Sequence, residues 1–259
     1  MGEYIDYQVE DGIGIVRMNR PPANTYNYEF MREMDGVIEQ IRFDDDVKVA
    51  VLGSKLERFF SAGADIGMLS TSEPDFKAMF CLNCQETLVK MENTPKIWIA
   101  AINGHCVGGG LEIALATDIR FMGRDSGQIG LPEVNLGVLP GTGGTQRLSR
   151  LVGKSRALDM MVTGKTISAD EALKIGLVNY VYEREGFWDK TLEYARNLAT
   201  GPVRAVGLIK RAVTEGLEIP LKQGLALERE LQNRLFMTED AKEGLRAFVE
   251  KRKPAFKGR

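Results

Sequence analysis

The chain has 259 residues, of which 44% are apolar, so it can bury one large core, or one core with a small subdomain attached. Its 34 basic and 36 acidic residues give a formal charge of -2, which predicts no broad basic surface for nucleic acid. No apolar stretch approaches the roughly 20 residues that cross a bilayer, and the N-terminus has no signal-peptide pattern. We therefore expect a cytoplasmic protein that binds neither nucleic acid nor membrane.

The first two thirds of the sequence alternate between strand and helix patterns. Runs rich in β-forming residues predict strands at Tyr4–Val9, Ile13–Met18, Lys48–Leu52, Ile97–Ile102, Ile119–Met122 and Leu177–Tyr182. Helical patterns lie between them at Tyr28–Arg42, Phe76–Glu92 and Gly110–Thr117. This alternation predicts an α/β core that contains parallel strands.

From about Thr145 onward the sequence is almost wholly helical. Helical spacing or capping residues predict helices at Ser168–Lys174, Trp188–Leu198, Val203–Glu215, Leu221–Phe236 and Glu239–Glu250. We expect residues 1–198 to form the core and residues 199–259 to form a helical subdomain.

The few cysteine and histidine residues limit the possible chemistry. Cys81 and Cys84 form a CxxC pattern inside a predicted helix, with no second thiol pair or histidine cluster to complete a metal site. His105 is the only histidine, and its apolar surroundings favour a packed or hydrogen-bonded structural role. General acid/base chemistry is therefore expected to fall to carboxylates.

The centre of the chain combines glycine-rich segments with two isolated glutamates. A GGG run at residues 108–110 links a predicted strand to a predicted helix, where free N–H groups could bind a developing negative charge, although glycine clusters serve tight packing equally often. Glu112 and Glu133 have mainly apolar neighbours, which would raise their pKa values towards the range useful for proton transfer. Each glutamate alone would be more typical of a hydrogen-bonded helix end or loop.

Several ordered motifs resemble those of the crotonase (enoyl-CoA hydratase/isomerase) superfamily, and most closely its enoyl-CoA hydratases. They are NRPPAN at 19–24, FSAGADI at 60–66, ING-x-x-x-GGG-x-E at 102–112, G-x-PE-x-x-LG-x-x-PG-x-GG-T-Q-R-L at 130–148, the helical stretch at 157–179 and F-x-T-x-D-x-x-EG-x-x-AF-x-x-KR at 236–252. The resemblance covers essentially the whole chain. It implies a spiral of ββα repeats followed by a C-terminal helical subdomain.

The resemblance also implies the reaction and the groups that perform it. The expected activity is the reversible hydration of a 2-enoyl-CoA thioester to a 3-hydroxyacyl-CoA. Glu112 and Glu133 are the expected acid/base pair, and the N–H groups of Ala64 and Gly109 are the expected donors to the thioester oxygen. Both glutamates are retained here, whereas many isomerases of the superfamily keep one or neither. No cofactor is expected, because CoA is part of the substrate.

The remaining implied features concern CoA and the assembly. CoA is expected to contact Ala23, Ala62, Ala64, Asp65 and Ile66, together with Phe248 and Lys251 of a neighbouring subunit in a homotrimer or a dimer of trimers. Without the resemblance, Phe248 would be read as a core residue and Lys251 as a solvated one.

Two departures from the family pattern leave the substrate open. Gly67 and Met68 follow the ADI motif where many hydratases have a basic residue, which puts a phosphate contact there in doubt. Tyr26 and Tyr28 stand where smaller or aliphatic residues are common, so a shortened or polar acyl pocket is possible.

Two alternative functions remain open. The nearer is another crotonase-type enzyme, such as an isomerase or a hydratase of a branched or cyclic acyl-CoA. The more distant is a non-catalytic CoA-binding or RNA-binding member.

Overall fold

The computed structural model describes residues 2–258 and shows a mixed α/β fold. The strands are β1 Ile5–Glu10, β2 Ile13–Met18, β3 Val49–Ser54, β4 Phe59–Ser61, β5 Ile97–Ile102, β6 His105–Val107, β7 Ile119–Gly123, β8 Ile129–Gly130, β9 Thr166–Ile167 and β10 Tyr180–Tyr182. The helices are α1 Tyr28–Phe43, α2 Ile66–Thr71, α3 Pro74–Glu92, α4 Gly109–Leu115, α5 Gly144–Val152, α6 Lys154–Thr163, α7 Ala169–Lys174, α8 Phe187–Ala199, α9 Val203–Gly216, α10 Leu221–Phe236 and α11 Glu239–Val249. A 3-10 helix spans Glu133–Leu136.

The strands form two sheets that the chain visits alternately. The larger sheet has the order β1-β2-β3-β5-β7-β10, and the smaller has the order β4-β6-β8-β9. Pairing is parallel from β2 to β10 in the larger sheet and from β4 to β8 in the smaller one. Successive ββα units each add one strand to each sheet, so the predicted α/β class and spiral of ββα repeats are confirmed.

The larger sheet is covered on both faces. In β3, Val49 and Val51 pack with α8, whereas Ala50 and Leu52 belong to the larger apolar cluster on the opposite face, with α1, α3 and α4. Burial on both faces explains why this strand is a continuous apolar run rather than an alternating one.

The long predicted elements are present with ends shifted by a few residues, and two predictions need correction. The strand expected over Leu177–Tyr182 is reduced to β10. The region after Thr145 is less uniformly helical than expected, because it contains β9 in addition to the predicted strand. The short strands β4, β6 and β8 and helix α2 were not predicted. The boundary at residue 198 stays a prediction.

His105 and the CxxC cysteines have structural surroundings, as expected. The His105 ring lies 5.4 Å from that of Phe59, and its Nδ1 accepts a hydrogen bond from the Gln128 N–H at 3.1 Å. Cys81 and Cys84 lie within α3, and both thiols are free. Burial raises the pKa of each of these two thiols, which favours the unreactive protonated form. No helix within residues 2–258 is long and apolar enough to cross a membrane.

Candidate active site

The sequence-predicted site residues follow the carboxyl ends of three neighbouring strands of the smaller sheet. Ala64 follows β4, Gly109 follows β6, and Glu133 follows β8. Because β4, β6 and β8 are parallel neighbours, their carboxyl ends lie at the same edge of the sheet. This edge is where open α/β sheets commonly bind their ligands.

The Ala64 and Gly109 amides are available to a ligand. Gly109 begins α4, so its N–H has no partner within the helix. Tyr26 pairs with Gly63 and Asp65 on either side of Ala64, which leaves the Ala64 N–H outside this pairing. Among residues 2–258, neither amide donates a hydrogen bond to a protein acceptor.

The segments that carry these two amides approach each other closely. Gly63 adopts φ +92°, and a Cβ atom placed on it would lie 2.8 Å from the Gly109 nitrogen. Both the backbone conformation and this contact require glycine at position 63.

Glu112 is held within the site by main-chain donors. Its side chain lies in α4, is 2% exposed, and accepts hydrogen bonds from the N–H groups of Thr142 and Gly144, each at 2.7 Å. Burial raises the pKa of Glu112, and these hydrogen bonds oppose part of that increase by stabilising the charged form. The carboxylate is thus fixed in orientation.

The loop that binds Glu112 is itself anchored to α3. Arg147 donates from Nε and Nη2 to the two carboxylate oxygens of Glu92, each at 2.7 Å, and from Nη1 to the Thr142 carbonyl at 3.0 Å. This bidentate pair fixes the loop more firmly than a single contact would.

Glu133 occupies a different environment in the same region. It begins the 3-10 helix, and its Oε1 would lie 3.3 Å from a Cβ placed on Gly108, at the start of the helix that carries Glu112. Burial, with a smaller contribution from the charge of Glu112, raises the pKa of Glu133 to about 7. Within residues 2–258 its buried Oε2 has no hydrogen-bond partner. A water molecule or a substrate group could satisfy this oxygen.

The structure brings five of the expected CoA-contacting residues to one region. The Ala62 N–H donates to the Ala23 carbonyl at 2.9 Å, and Asp65 follows directly after Ala64. Asp65 forms an ion pair with Arg20 at 2.8 Å and also caps α2, so its carboxylate already has protein partners. The side chain of Ile66 is about half exposed.

Phe248 and Lys251 lie elsewhere, at the C-terminal end of α11. The side chain of Phe248 is 85% exposed, and Lys251 is also exposed. The core position that periodicity alone would assign to Phe248 is therefore wrong.

Thr142, Gly144 and Arg147 also help to build the site, although no role was predicted for them. The loop that contains these residues binds Glu112, a carboxylate some thirty residues earlier, and that partner could not be recognised from local sequence.

Comparison with known proteins identifies the family. The family model described as enoyl-CoA hydratase/isomerase matches residues 8–259. A short-chain-enoyl-CoA hydratase from Clostridium acetobutylicum is 40% identical, with 96% of each chain covered, and a 2,3-dehydroadipyl-CoA hydratase from Escherichia coli is 39% identical, with 95% of each covered. A crystal structure of an enoyl-CoA hydratase from Geobacillus kaustophilus superimposes with a TM-score of 0.99 at 53% identity, covering 100% of this chain and 98% of that one. The chain therefore belongs to the enoyl-CoA hydratase/isomerase family of the crotonase superfamily.

Proposed function

We propose that the protein is an enoyl-CoA hydratase, which adds water reversibly across the 2,3 double bond of a 2-enoyl-CoA to give a 3-hydroxyacyl-CoA. Full-length relatives named as enoyl-CoA hydratases support this activity. The observation that carries it most directly is the pair of glutamates in one region, where burial raises the pKa of Glu133 to about 7 and its buried Oε2 has no hydrogen-bond partner within residues 2–258.

The amides of Ala64 and Gly109 are proposed to bind the thioester oxygen. Polarisation of that oxygen makes C3 electrophilic and stabilises the enolate-like charge that forms when water attacks. Removal of one such donor typically costs about 3–4 kcal/mol in the activation barrier.

The two glutamates are proposed to handle the protons. Glu112 positions the water and accepts a proton as the water oxygen bonds to C3, and Glu133 donates a proton to C2, so that the substrate gains one water molecule. Proton exchange with solvent then returns both glutamates to their starting protonation states. With a pKa of about 7, Glu133 is partly protonated at neutral pH, which suits a proton donor. Because the charge of Glu112 raises the pKa of Glu133, their titrations are coupled. The steps are proton transfers and one C–O bond formation, so we propose that no cofactor is required.

The CoA portion is proposed to lie along Ala23, Ala62, Ala64, Asp65 and Ile66. Phe248 and Lys251 are proposed to cover CoA bound to a neighbouring subunit of a homotrimer or a dimer of trimers, with residues 199–259 forming most of the contact. The many exposed apolar side chains of α9–α11 support this assembly. The cytoplasmic location stays a prediction.

The test is hydration of crotonyl-CoA, which is monitored through the loss of absorbance of the conjugated thioester. We expect turnover by the wild-type protein and a loss of about 100-fold or more in kcat for Glu112→Gln and for Glu133→Gln. Glu185→Gln is the matched control, because Glu185 is exposed on the surface, and its activity should equal that of the wild type.

Other outcomes would identify the alternatives. No hydration, together with a shift of the double bond in a 3-enoyl-CoA, would indicate an isomerase. If both glutamate variants kept full activity, the proposed mechanism would be wrong.

A further inference from the structure

Tyr26 contacts both segments that carry the proposed amide donors. Its main-chain N–H donates to the Gly63 carbonyl at 2.9 Å, and its carbonyl accepts from the Asp65 N–H at 2.9 Å. These two hydrogen bonds flank Ala64 and fix the peptide that contains the Ala64 amide.

The Tyr26 side chain lies against the segment that carries the Gly109 amide. It is 2% exposed, and its phenol packs so closely on Gly109 that any Cβ at that position would collide with it. Phe30 and Phe80 pack around the ring, at centroid distances of 6.4 and 6.1 Å. The ring therefore has little freedom to move away from Gly109.

The Tyr26 hydroxyl also connects to the carboxylate of Glu112. It lies 3.2 Å from the hydroxyl of Thr142, a residue whose main-chain N–H donates to Glu112 at 2.7 Å. Burial, and then the negative charge of Glu112, raise the pKa of Tyr26, so the phenol remains a neutral hydrogen-bonding group.

We propose that Tyr26 is a positioning residue, which holds the Gly109 amide in register with the Ala64 amide and the Glu112 carboxylate. This inference rests on the proposed hydratase function. Because the hydroxyl is the atom wedged between Gly109 and Thr142, its removal should relax both contacts at once. If Tyr26 only filled the core, its contribution would come from its ring, and loss of the hydroxyl would change kcat little.

Tyr26→Phe separates these two roles, because it keeps the ring and removes only the hydroxyl. We expect kcat for crotonyl-CoA hydration to fall about 10-fold with KM within about twofold of wild type, since a displaced amide donor retains only part of its effect in the transition state. Combining it with Thr142→Val should slow the enzyme no further than the slower single variant, because both remove the same hydrogen bond.

Tyr194→Phe is the matched control. Tyr194 is a partly buried tyrosine on α8 that packs on Phe121 in the other apolar cluster, so removal of its hydroxyl should leave kcat and KM unchanged. Equal melting temperatures for wild type and Tyr26→Phe would exclude a general loss of stability as the cause.

A second measurement records the spectrum of a bound probe immediately after mixing, before the probe can be hydrated. Cinnamoyl-CoA absorbs at longer wavelength when hydrogen bonds polarise its thioester oxygen, so it reports on the amide donors when bound. We expect a clear red shift with wild type and a smaller one with Tyr26→Phe.

The outcomes separate the two proposals. A wild-type protein that shifts the probe spectrum without hydrating crotonyl-CoA would contradict the hydratase function, and the comparison of the two spectra would still test the role of Tyr26. An unchanged kcat and an unchanged spectrum in Tyr26→Phe would overturn that role. If the wild-type protein neither hydrated crotonyl-CoA nor shifted the probe spectrum, both proposals would be wrong.

Discussion

At the scale of single residues, Glu112 and Glu133 lie in one region but differ in the hydrogen bonds that the protein makes to their carboxylates. Glu112 receives two main-chain hydrogen bonds, whereas Glu133 has a buried oxygen without a protein partner among the described residues. Apolar neighbours in the sequence predicted the burial of both. The unequal hydrogen bonding could not be predicted, because the donors to Glu112 come from a loop that is distant in the sequence.

The raised pKa of Glu133 predicts a pH-dependent cost to stability. The folded protein retains the proton up to about pH 7, whereas the unfolded chain loses it near its ordinary value of 4.5. The wild-type free energy of unfolding should therefore contain a contribution that falls as the pH rises from about 4.5 to 7. Glu133→Gln removes this ionisation and should gain stability relative to wild type over the same interval, by about 1–3 kcal/mol after allowance for partial exposure.

Urea unfolding of both proteins at pH 5 and pH 8 measures this effect. Glu185→Gln serves again as the exposed control and should show no such trend. A constant stability difference between Glu133→Gln and wild type at the two pH values would contradict the raised pKa.

At the scale of elements, the candidate site depends on strands too short to predict. β4 and β6 have three residues each and β8 has two, so none is long enough to display the alternation that identifies a strand. The long strands and helices were predictable because several turns or alternations of apolar residues specify each of them. The motif resemblance indicated the site residues, but only the strand pairing explains why they lie along one sheet edge.

The close approach of two of these segments gives a prediction at Gly63. Gly63→Ala should destabilise the protein through its positive φ and also push a methyl group against the Gly109 amide, lowering kcat for crotonyl-CoA hydration by about 10-fold or more. Gly176 has a similar φ of +77° with no atom within 4 Å of an added Cβ, so Gly176→Ala isolates the cost of the backbone conformation.

Thermal unfolding and steady-state kinetics of the two variants would separate the effects. Gly63→Ala should lower the free energy of unfolding by about 1–3 kcal/mol more than Gly176→Ala does, and only Gly63→Ala should lose activity. Equal activities would show that the Gly63 contact does not position the amide.

At the scale of the whole molecule, the C-terminal helices expose an unusual amount of apolar surface. Leu217, Phe248 and Val249 are each at least 80% exposed, and several other large apolar side chains of α9–α11 are more than half exposed. Apolar surface of this extent typically marks a contact with another protein. Periodicity could not reveal this surface, since an apolar helix stripe looks the same whether it meets the chain's own core or a neighbour.

Light scattering coupled to size-exclusion chromatography tests the proposed assembly. The wild-type protein should have the mass of a trimer or hexamer, and Leu217→Glu should dissociate it, because a charge would be buried in the contact. Dissociation should also raise KM for crotonyl-CoA, since Phe248 and Lys251 of the neighbour would no longer cover CoA. Phe43→Glu is the control, because Phe43 is a 75% exposed apolar residue at the end of α1. A monomeric wild-type protein would contradict the proposal.

Because the chain alternates between its two sheets, the segments that carry the proposed amide donors are separated by a long stretch of chain. Between the strand that precedes Ala64 and the strand that precedes Gly109, the chain leaves the small sheet and passes through α2, α3 and β5 before it returns. Met68 of α2 and Phe76 of α3 line a cavity of about 310 Å³, together with residues that include Tyr28 and Asp65. Sequence changes between β4 and β6 can therefore reshape this cavity, while the small sheet keeps the backbone groups that are proposed to perform the reaction in place.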